Sequence, residues 1–250
     1  MDNSLLVSLS HQLASYRAMD VIANNIANVS TPGFKREAAK FEEFVAMMRP
    51  AEGQTGMQPV SFVKDAGTMR DSSQGNLEQT GATYDIAITG PGYFQVQTPT
   101  GMRYTRDGHF SLNADGSMVT SQGYAVQGDG GAITIAPTDG QILIAPDGTV
   151  SSVLNGVTNL LGKLKVVDFA NSDALTKQGS NLYSTLQTPT APAAVNVRQG
   201  ALEASNVQPV IEISHMIEVM RAYEATASLS KSQEDMMRQA INQLGQMPTN

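Results

Sequence analysis

The sequence predicts an α+β protein with a long helix at each end and a β-rich middle. Apolar residues recur at steps of three and four over residues 5–29 and again after Pro209, which is typical of amphipathic helices. Between them, short alternating apolar segments are separated by Asp-Gly pairs, which is typical of strands and turns. We therefore expect the two helices to pack as a coiled-coil-like layer beside a meander or barrel-like β domain.

The N-terminal helix is predicted by a single apolar stripe, and a turn ends it. Thr31 precedes a proline, which disfavours helical geometry at Thr31, and Pro32-Gly33 is a favoured central pair of a type II turn. We expect a helix over residues 3–30 within an N-terminal segment 1–35. Its stripe consists of Leu6, Leu9, Leu13, Tyr16, Met19, Ile22, Ile26 and Val29.

Residues 36–75 are predicted to be a connector made of a β-hairpin or loop. Residues 49–56 have the composition of an exposed loop, and residues 59–63 fit one strand of a long hairpin. The β-rich domain is expected over residues 76–200, with a late strand at 164–169. Its turns are marked by Asp-Gly pairs at 107–108, 115–116, 129–130 and 147–148.

The C-terminal segment, residues 201–250, is predicted to carry a helix over residues 209–246. Such a helix would be about 55 Å long at 1.5 Å per residue, and a helix of that length rarely stands alone. Four methionines, at 216, 220, 236 and 237, favour an adaptable contact surface. The heptad stripe consists of Ile213, Met216, Met220, Tyr223, Ala227, Ser230, Glu234, Met237, Ile241 and Leu244.

The composition argues against several classes of protein. Sixteen basic and twenty-three acidic residues give a net charge of −7, which disfavours nucleic-acid binding because that needs a basic face. The absence of cysteine excludes disulfides, thiolate metal sites and cysteine nucleophiles. Neither a membrane span nor a cleavable signal peptide is readable, so we expect any export to use a non-standard route.

No arrangement of residues predicts catalysis, a metal site or a cofactor. His11, His109 and His215 are far apart in the sequence, and the glycine-rich residues 128–131 lack the lysine of a phosphate loop. Asp107 and Asp115 could form a hydrolytic carboxylate pair only if the fold set the required separation. We expect no enzyme, while a hydrolase or a monomeric binding module remains the alternative.

Asparagines near the end of the N-terminal helix favour a protein interface. Asn24, Asn28 and Thr31 form an uncharged polar face, and Asp20 is the only charged residue between positions 18 and 34. Solvated helix faces usually carry Lys and Glu, whereas amides can hydrogen-bond between identical helices without charge repulsion. This pattern predicts burial on assembly, with the amides fixing the register.

Four motifs, in order along nearly the whole chain, resemble the flagellar rod and hook axial proteins. Residues 23–35, which read ANNIANVSTPGFK, resemble the N-terminal signature of that family. Residues 85–94 and 104–110 resemble the first motifs of its β domain. Residues 200–207 and 220–224 resemble its C-terminal signature. Length and a compact middle are most similar to the proximal-rod member, with the distal-rod member as the alternative.

The resemblance implies a structural role with no cofactor. Family members pass unfolded through the flagellar type III export apparatus without a cleaved signal, and they assemble as a helical stack in the periplasmic rod of the basal body. Their terminal helices, which are often disordered before assembly, form an inner tube, and the β domain forms an outer layer. The implied partners are copies of the chain, other proximal-rod and distal-rod subunits, and the export apparatus.

Together with the helical stripes, the resemblance nominates a set of inner-core interface residues. We expect these side chains to contact neighbouring subunits. They are Leu9, Leu13, Tyr16, Ile22, Asn24, Asn25, Ile26, Asn28, Val29, Asn206, Val207, Ile213, Ile217, Met220, Tyr223, Met237, Ile241 and Leu244.

Overall fold

The computed structural model describes residues 2–48, 58–192 and 194–244. The chain divides into two compact units. The helical unit consists of Met1–Ala27, Glu37–Arg70 and Gln208–Asn250, and the β unit consists of Asn28–Arg36 and Asp71–Val207. The predicted loop at residues 49–56 lies outside the described residues, as do residues 245–246 of the predicted helix.

The helical unit contains both long helices and one long β ladder. Helix α1 (Asp2–Ala27) and helix α2 (Pro209–Leu244) pack against each other, and α1 also packs on strands β1 (Glu37–Met48) and β2 (Gln58–Arg70). The two strands are antiparallel, with Phe44 opposite Phe62. Residues 59–63, interpreted from sequence as one strand of a long hairpin, lie in β2.

The β unit consists of many short strands, as the alternating middle of the sequence predicts. They are β3 (Leu77–Gln79), β4 (Ile86–Ile88), β5 (Tyr93–Thr98), β6 (Gly101–Thr105), β7 (Phe110–Leu112), β8 (Met118–Thr120), β9 (Ala125–Gly128), β10 (Gly131–Ala132), β11 (Gln141–Ile144), β12 (Thr149–Leu154), β13 (Val157–Lys163), β14 (Val166–Val167), β15 (Thr176–Lys177), β16 (Leu182–Ser184), β17 (Val197–Gln199) and β18 (Ala201–Glu203). A single 3₁₀ turn, Ser172–Ala174, interrupts the described part of this unit.

The strands of the β unit form several antiparallel sheets. The largest has the order β15-β16-β6-β5-β9-β8-β7, with β10 on β9 and β14 on β5. Strands β11, β12 and β13 form a meander. Strand β17 pairs with β4 and β18 pairs with β3, so the last two strands of the unit return to its first two.

The β unit is held by one large apolar core and a smaller aromatic cluster. Burial alternates along β9, β11 and β12, as a sheet with one buried face requires, whereas β4 and β8 are buried throughout. The larger core includes Ile86, Phe94, Phe110, Met118, Val126, Val150 and Leu164. The smaller cluster contains Tyr93, Tyr104, Phe169, Leu175 and Tyr183. The rings of Tyr104 and Phe169 meet edge to face, with their centroids 4.8 Å apart.

The predicted fold class is confirmed as helices at both ends of a β-rich middle. Helix α1 ends at Ala27, three residues before the predicted end, because the Asn28 carbonyl accepts a hydrogen bond from Thr31 N at 3.2 Å and begins a turn. Gly116 and Gly148 of the Asp-Gly pairs have φ of +77° and +87°, so they occupy turn geometry. No helix in the described part of the chain is long and apolar enough to cross a membrane.

Candidate assembly surfaces and a buried ionic clasp

The turn after α1 is fixed by geometry that only glycine accepts. Phe34 N donates to Thr31 O at 3.2 Å and Gly33 has φ +67°, which together fit a type II turn. Gly33 N donates to Glu203 O at 2.7 Å. A Cβ on Gly33 would lie 2.5 Å from the carbonyl carbon of Arg106, so a side chain there would collide with backbone.

Three charged side chains, Lys35, Arg106 and Glu203, form what we call the ionic clasp. They are 2%, 5% and 1% exposed. Lys35 Nζ lies 2.5 Å from Glu203 Oε1, and Arg106 Nη2 lies 2.8 Å from Glu203 Oε2. Lys35 Nζ also donates to Ser73 O at 2.6 Å, and Gly75 N donates to Glu203 Oε1 at 3.1 Å. One carboxylate therefore joins the chain before β1, the end of β6, the segment before β3 and strand β18.

The clasp contains two cations and one carboxylate. Backbone oxygens that accept hydrogen bonds from Arg106 compensate the second positive charge. Arg106 donates to Gly92 O at 2.6 Å and to Gly90 O at 2.9 Å. Burial lowers the pKa of Lys35 below its ordinary value of 10.5, and the neighbouring Glu203 opposes that shift. Between that lowered pKa and 10.5, the unfolded chain binds more protons at this group than the folded chain does, so this group makes stability rise with pH over that interval.

Asn206 binds two segments that lie far away in the sequence. Its Oδ1 accepts from Arg36 N at 2.7 Å, and its Nδ2 donates to Asp71 O at 3.0 Å and to Ser73 O at 3.1 Å. Asn206 N also donates to Phe34 O at 3.4 Å. The amide therefore supplies partners for backbone groups of two loops that no strand ladder satisfies.

Asn25 has the equivalent role in the helical unit. Its side chain is fully buried. Its Nδ2 donates to Glu37 O at 2.7 Å and to Glu212 Oε2 at 3.0 Å, while its Oδ1 accepts from Glu37 N at 3.0 Å. This amide clamp joins α1, the start of β1 and the first turn of α2, which explains an asparagine at an apolar position of the helix.

The face of α1 turned away from β1, β2 and α2 is apolar and exposed. We call its four large residues, spaced three, four and three apart, the α1 seam. They are Leu6, Leu9, Leu13 and Tyr16, which are 43%, 50%, 63% and 59% exposed. No Asp, Glu, Lys or Arg occurs from residue 3 to residue 16. Charge depletion around large exposed apolar residues is typical of an interface core.

Helix α2 has one stripe covered within the helical unit and an apolar patch beside it. The covered stripe contains buried Glu212 and half-buried Val219, Tyr223, Thr226 and Ser230. Ser230 Oγ lies 3.1 Å from Ser8 Oγ of α1. The exposed residues Val210, Ile213, Ile217 and Met220 form what we call the α2 patch.

The predicted interface residues divide by exposure within their own unit. Leu9, Leu13 and Tyr16 lie in the α1 seam, and Ile213, Ile217 and Met220 lie in the α2 patch. Asn24 and Ile241 are also exposed, and Leu244 is the last residue of the described helix. Ile22, Asn25 and Val207 are buried. The half-buried residues are Ile26, Asn28, Val29, Asn206, Tyr223 and Met237.

Of the residues considered for chemistry, His109 contacts two carboxylates. His109 Nδ1 lies 2.8 Å from Asp85 Oδ1, and His109 N donates to Asp107 Oδ1 at 2.9 Å. Burial raises the pKa of Asp107 above its ordinary value. Within residues 2–48, 58–192 and 194–244, no group of three or more His, Asp or Glu side chains is arranged to hold a metal ion.

Known proteins match this chain over both helices and the β unit. Residues 5–35 match the family described as flagella basal body rod protein, residues 87–152 the flagellar hook protein FlgE/F/G D1 domain, and residues 198–244 the flagellar basal body rod FlgEFG protein C-terminal family. Flagellar basal-body rod protein FlgF of Caulobacter vibrioides is 43% identical, covering 99% of this chain and 100% of its own length. The chain belongs to the flagellar basal-body rod protein family.

Other members of the rod protein family are similar over the same length. FlgG of Buchnera aphidicola subsp. Acyrthosiphon pisum is 38% identical over 96% of this chain and 99% of its own. FlgF of Mesorhizobium japonicum is 35% identical over 98% of this chain and 99% of its own. Two of the three family matches therefore include the helices that carry the α1 seam and the α2 patch.

Sequence reasoning placed Lys35, Arg106 and Glu203 within motifs of the rod protein family but gave them no role. Each is a charged residue beside apolar or strand-forming neighbours. This pattern could have indicated that the charged side chain is buried. Their pairing was not readable, because Lys35 and Glu203 are 168 positions apart.

We expect Glu203→Gln to destabilise the β unit by about 3–5 kcal/mol, because it leaves two buried cations without their counter-ion. Glu78→Gln is the matched control, since Glu78 is exposed in the neighbouring strand β3 and should change stability by about 0.5 kcal/mol or less. Urea unfolding of the purified chain measures both. Equal midpoints for the two variants would contradict a stabilising clasp.

We expect Asn25→Ala to lower the free energy of unfolding of the helical unit by about 3 kcal/mol, since it removes partners from buried backbone and carboxylate groups. Asn242→Ala is the control and should have little effect, because Asn242 is exposed in α2 and alanine also favours the helix. Helical circular dichroism during urea unfolding is the measurement. If both alanine variants unfold at the same urea concentration, the amide clamp is not formed in the isolated chain.

We expect Gly33→Ala to destabilise the β unit by more than 1 kcal/mol, because alanine is strained at φ +67° and its Cβ meets backbone atoms. Gly130→Ala is the control, since a Cβ at Gly130 meets no atom within 4 Å and its φ is not positive. Thermal unfolding compares the two. A melting temperature for Gly33→Ala at or above that of Gly130→Ala would refute the steric argument.

Proposed function

We propose that this chain is an FlgF-like structural subunit of the flagellar basal-body rod, which assembles helically and transmits torque from the motor to the hook. The α1 seam is the observation that carries the proposal, because four large apolar side chains lie exposed on a helix face without charge. A soluble monomer rarely exposes such a stripe. Family membership supports the same conclusion, since its named members are rod proteins.

In this proposal, both terminal helices form a coiled-coil-like inner layer with neighbouring subunits, and a barrel-like β domain forms the outer layer. The domain assignment is an inner-core helix at 1–35, a connector at 36–75, an outer domain at 76–200 and a second inner-core helix at 201–250. Apolar contacts between subunits supply the adhesion, and the rigid packing of the interiors transmits force. The role is structural and requires no catalytic residue, metal or cofactor.

The proposed partners are copies of this chain, other proximal-rod proteins and FlgG-like distal-rod subunits. The chain would reach them through the flagellar type III export apparatus, without a cleaved signal peptide, and assemble in the periplasmic part of the basal body. A direct membrane span and nucleic-acid binding are not part of this role. The interface residues nominated from sequence remain proposals, and the exposed ones are the first to test.

A distal-rod role is the second candidate, because FlgG proteins also match over nearly the whole chain. The two roles differ in where the chain lies along the rod. Crosslinking in isolated basal bodies, followed by mass spectrometry of the neighbours, distinguishes them. Crosslinks to the hook-proximal end of the rod would favour the FlgG-like position over the FlgF-like one.

We expect Ile217→Asp to abolish swimming and co-isolation with basal bodies, because it places a charge in the apolar α2 patch. Ile217 is 46% exposed, so the isolated chain should fold normally. Interface anchors of this kind contribute about 2 kcal/mol or more per contact. Swimming in soft agar and immunoblots of purified basal bodies are the readouts.

Ser228→Asp is the matched control for this substitution, since it adds the same charge at an exposed polar position of α2. It should preserve swimming. Normal swimming by Ile217→Asp, or equal loss in both variants, would contradict the assigned role of the patch.

A further inference from the structure

Strand β13 lies at one edge of the β11-β12-β13 meander. Among the described residues it pairs with β12 alone, and at seven residues it is the longest strand described in the β unit. Its last residue, Lys163, accepts a hydrogen bond from Asp129 N at 2.9 Å. The ladder with β12 is regular over residues 157–160, which we call the free edge. Unpaired backbone groups at an exposed edge are a template for pairing with another chain.

A side chain closes the opposite edge of the same meander. Gln199 Oε1 accepts from Ile144 N at 3.0 Å, and Gln199 Nε2 donates to Ile142 O at 3.1 Å. One amide therefore takes the place of a partner strand for β11. The largest sheet ends instead in short strands, since β15 has two residues and β7 has three. Covered or short edges protect a sheet from association, and the free edge of β13 is neither.

The hairpin turn between β12 and β13 determines which backbone groups the free edge presents. Residues 155 and 156 have φ of +52° and +80°, which fits the two-residue type I′ turn of a tight hairpin. Leu154 and Val157 flank this turn and lie opposite each other, so they form the first hydrogen-bonded pair, and the pairs alternate from there. The N–H and C=O groups of Thr158 and Leu160 therefore point away from β12.

The free edge lies in an uncharged and partly apolar surface. No Asp, Glu, Lys or Arg occurs from residue 148 to residue 162. Leu143, Ser151 and Leu160 form one row across the three strands, and the two leucines are 43% and 73% exposed. Edge strands are commonly protected by charged side chains, which repel a like strand. Two copies of this edge can approach each other without that repulsion, although the chain has a net charge of −7.

We infer that the free edge pairs antiparallel with the same edge of a second copy, across a two-fold axis at Asn159. This axis places Thr158 of each copy opposite Leu160 of the other. Both residues have their N–H and C=O groups directed at the partner, so each pair exchanges two N–H···O bonds. The spacing selects a second copy, because the same two residues satisfy each other when the strand meets itself. The two meanders then form one continuous sheet.

The two-fold contact goes beyond the proposed rod role. An isologous contact uses the same surface on both copies and closes on itself, so it joins two chains and no more. A stack of equally oriented subunits needs contacts that propagate, which this contact does not do. The dimer therefore joins chains that are outside the stack.

Single cysteines in the purified full chain test the register. The chain has no cysteine of its own, so every disulfide comes from the engineered position. In Asn159→Cys the two thiols face each other in a non-hydrogen-bonded pair, with Cα atoms about 4.5 Å apart, which a disulfide can bridge. In Thr158→Cys the two positions are diagonal neighbours about 7–8 Å apart, which is too far for a disulfide without backbone movement.

We expect mild oxidation to convert Asn159→Cys into a reducible dimer of twice 26.6 kDa. Its formation should be about tenfold faster than for Thr158→Cys, because only the first pair lies within disulfide reach. A mixture of Thr158→Cys and Leu160→Cys chains should crosslink faster than either chain alone, since these positions lie opposite each other. Equal rates for Asn159→Cys and Thr158→Cys would overturn the two-fold pairing.

Sedimentation velocity of the full chain measures the contact without thiols. Leu160→Lys places a lysine on the free edge and should weaken dimer formation about tenfold, because lysine at an edge opposes pairing. Leu186→Lys is the matched control, since Leu186 is fully exposed in the β unit but lies outside the meander. Equal dimer affinities of the two variants would refute the contact.

Failure of this contact and failure of the rod role are separate outcomes. An unmodified chain that sediments as a monomer but co-isolates with basal bodies refutes the dimer and leaves the rod role. A chain that dimerises through the free edge but is absent from basal bodies refutes the rod role and supports the dimer.

Discussion

The buried Glu203 carboxylate is the interaction on which the β unit depends. Lys35 and Arg106 contact its two oxygens, and Gly33 N donates to its backbone oxygen. Burial of an ionised carboxylate is costly unless cations and hydrogen bonds replace the lost water. Lys35 and Glu203 come from opposite ends of the unit and Arg106 comes from its middle, so the charge that must be compensated also brings these three segments together. Strands β17 and β18 then complete the closure by pairing with β4 and β3.

Each terminal helix divides its surface between two tasks. In α1, Asn25 and Ser8 face α2, while Leu9 and Leu13 face outward. The inward contacts include hydrogen bonds with strict geometry, whereas the α1 seam consists of three leucines and a tyrosine. Directional bonds fix a single internal arrangement, and apolar seams provide adhesion that tolerates small adjustments. Such a division suits a subunit that must be rigid itself and still fit several neighbours.

The sequence predicted those features that depend on local periodicity. The stripe after Pro209 identified α2, and the Asp-Gly pairs located turns between strands. Periodicity gives the spacing of a helical face but not which of two adjacent faces meets the same chain. Thus Ile213 and Met220 were chosen with Tyr223 as one stripe, although Tyr223 is half-buried and the other two are exposed.

Asn25 shows a different limit of prediction from sequence. It was nominated as a residue that contacts neighbouring subunits, because it lies in the motif that resembles the N-terminal signature of the family. The structure gives it three partners within the helical unit. Two of these are backbone atoms of Glu37. Backbone groups at the start of a strand need hydrogen-bond partners, but the sequence does not show which side chain supplies them. The ionic clasp was not predicted either, because its three residues are close in space but far apart in the sequence.

Closure of the clasp also determines when the chain can fold. Lys35 and Glu203 are 168 positions apart, so the contact forms only after most of the polypeptide has been synthesised. Native contacts between distant positions slow folding, because the entropy of a large loop is lost before the contact repays it. A chain that is synthesised from the N-terminus therefore cannot complete its β unit until the last strands have been made. Late folding of this kind gives any carrier of unfolded polypeptide time to engage the chain before its tertiary structure resists threading.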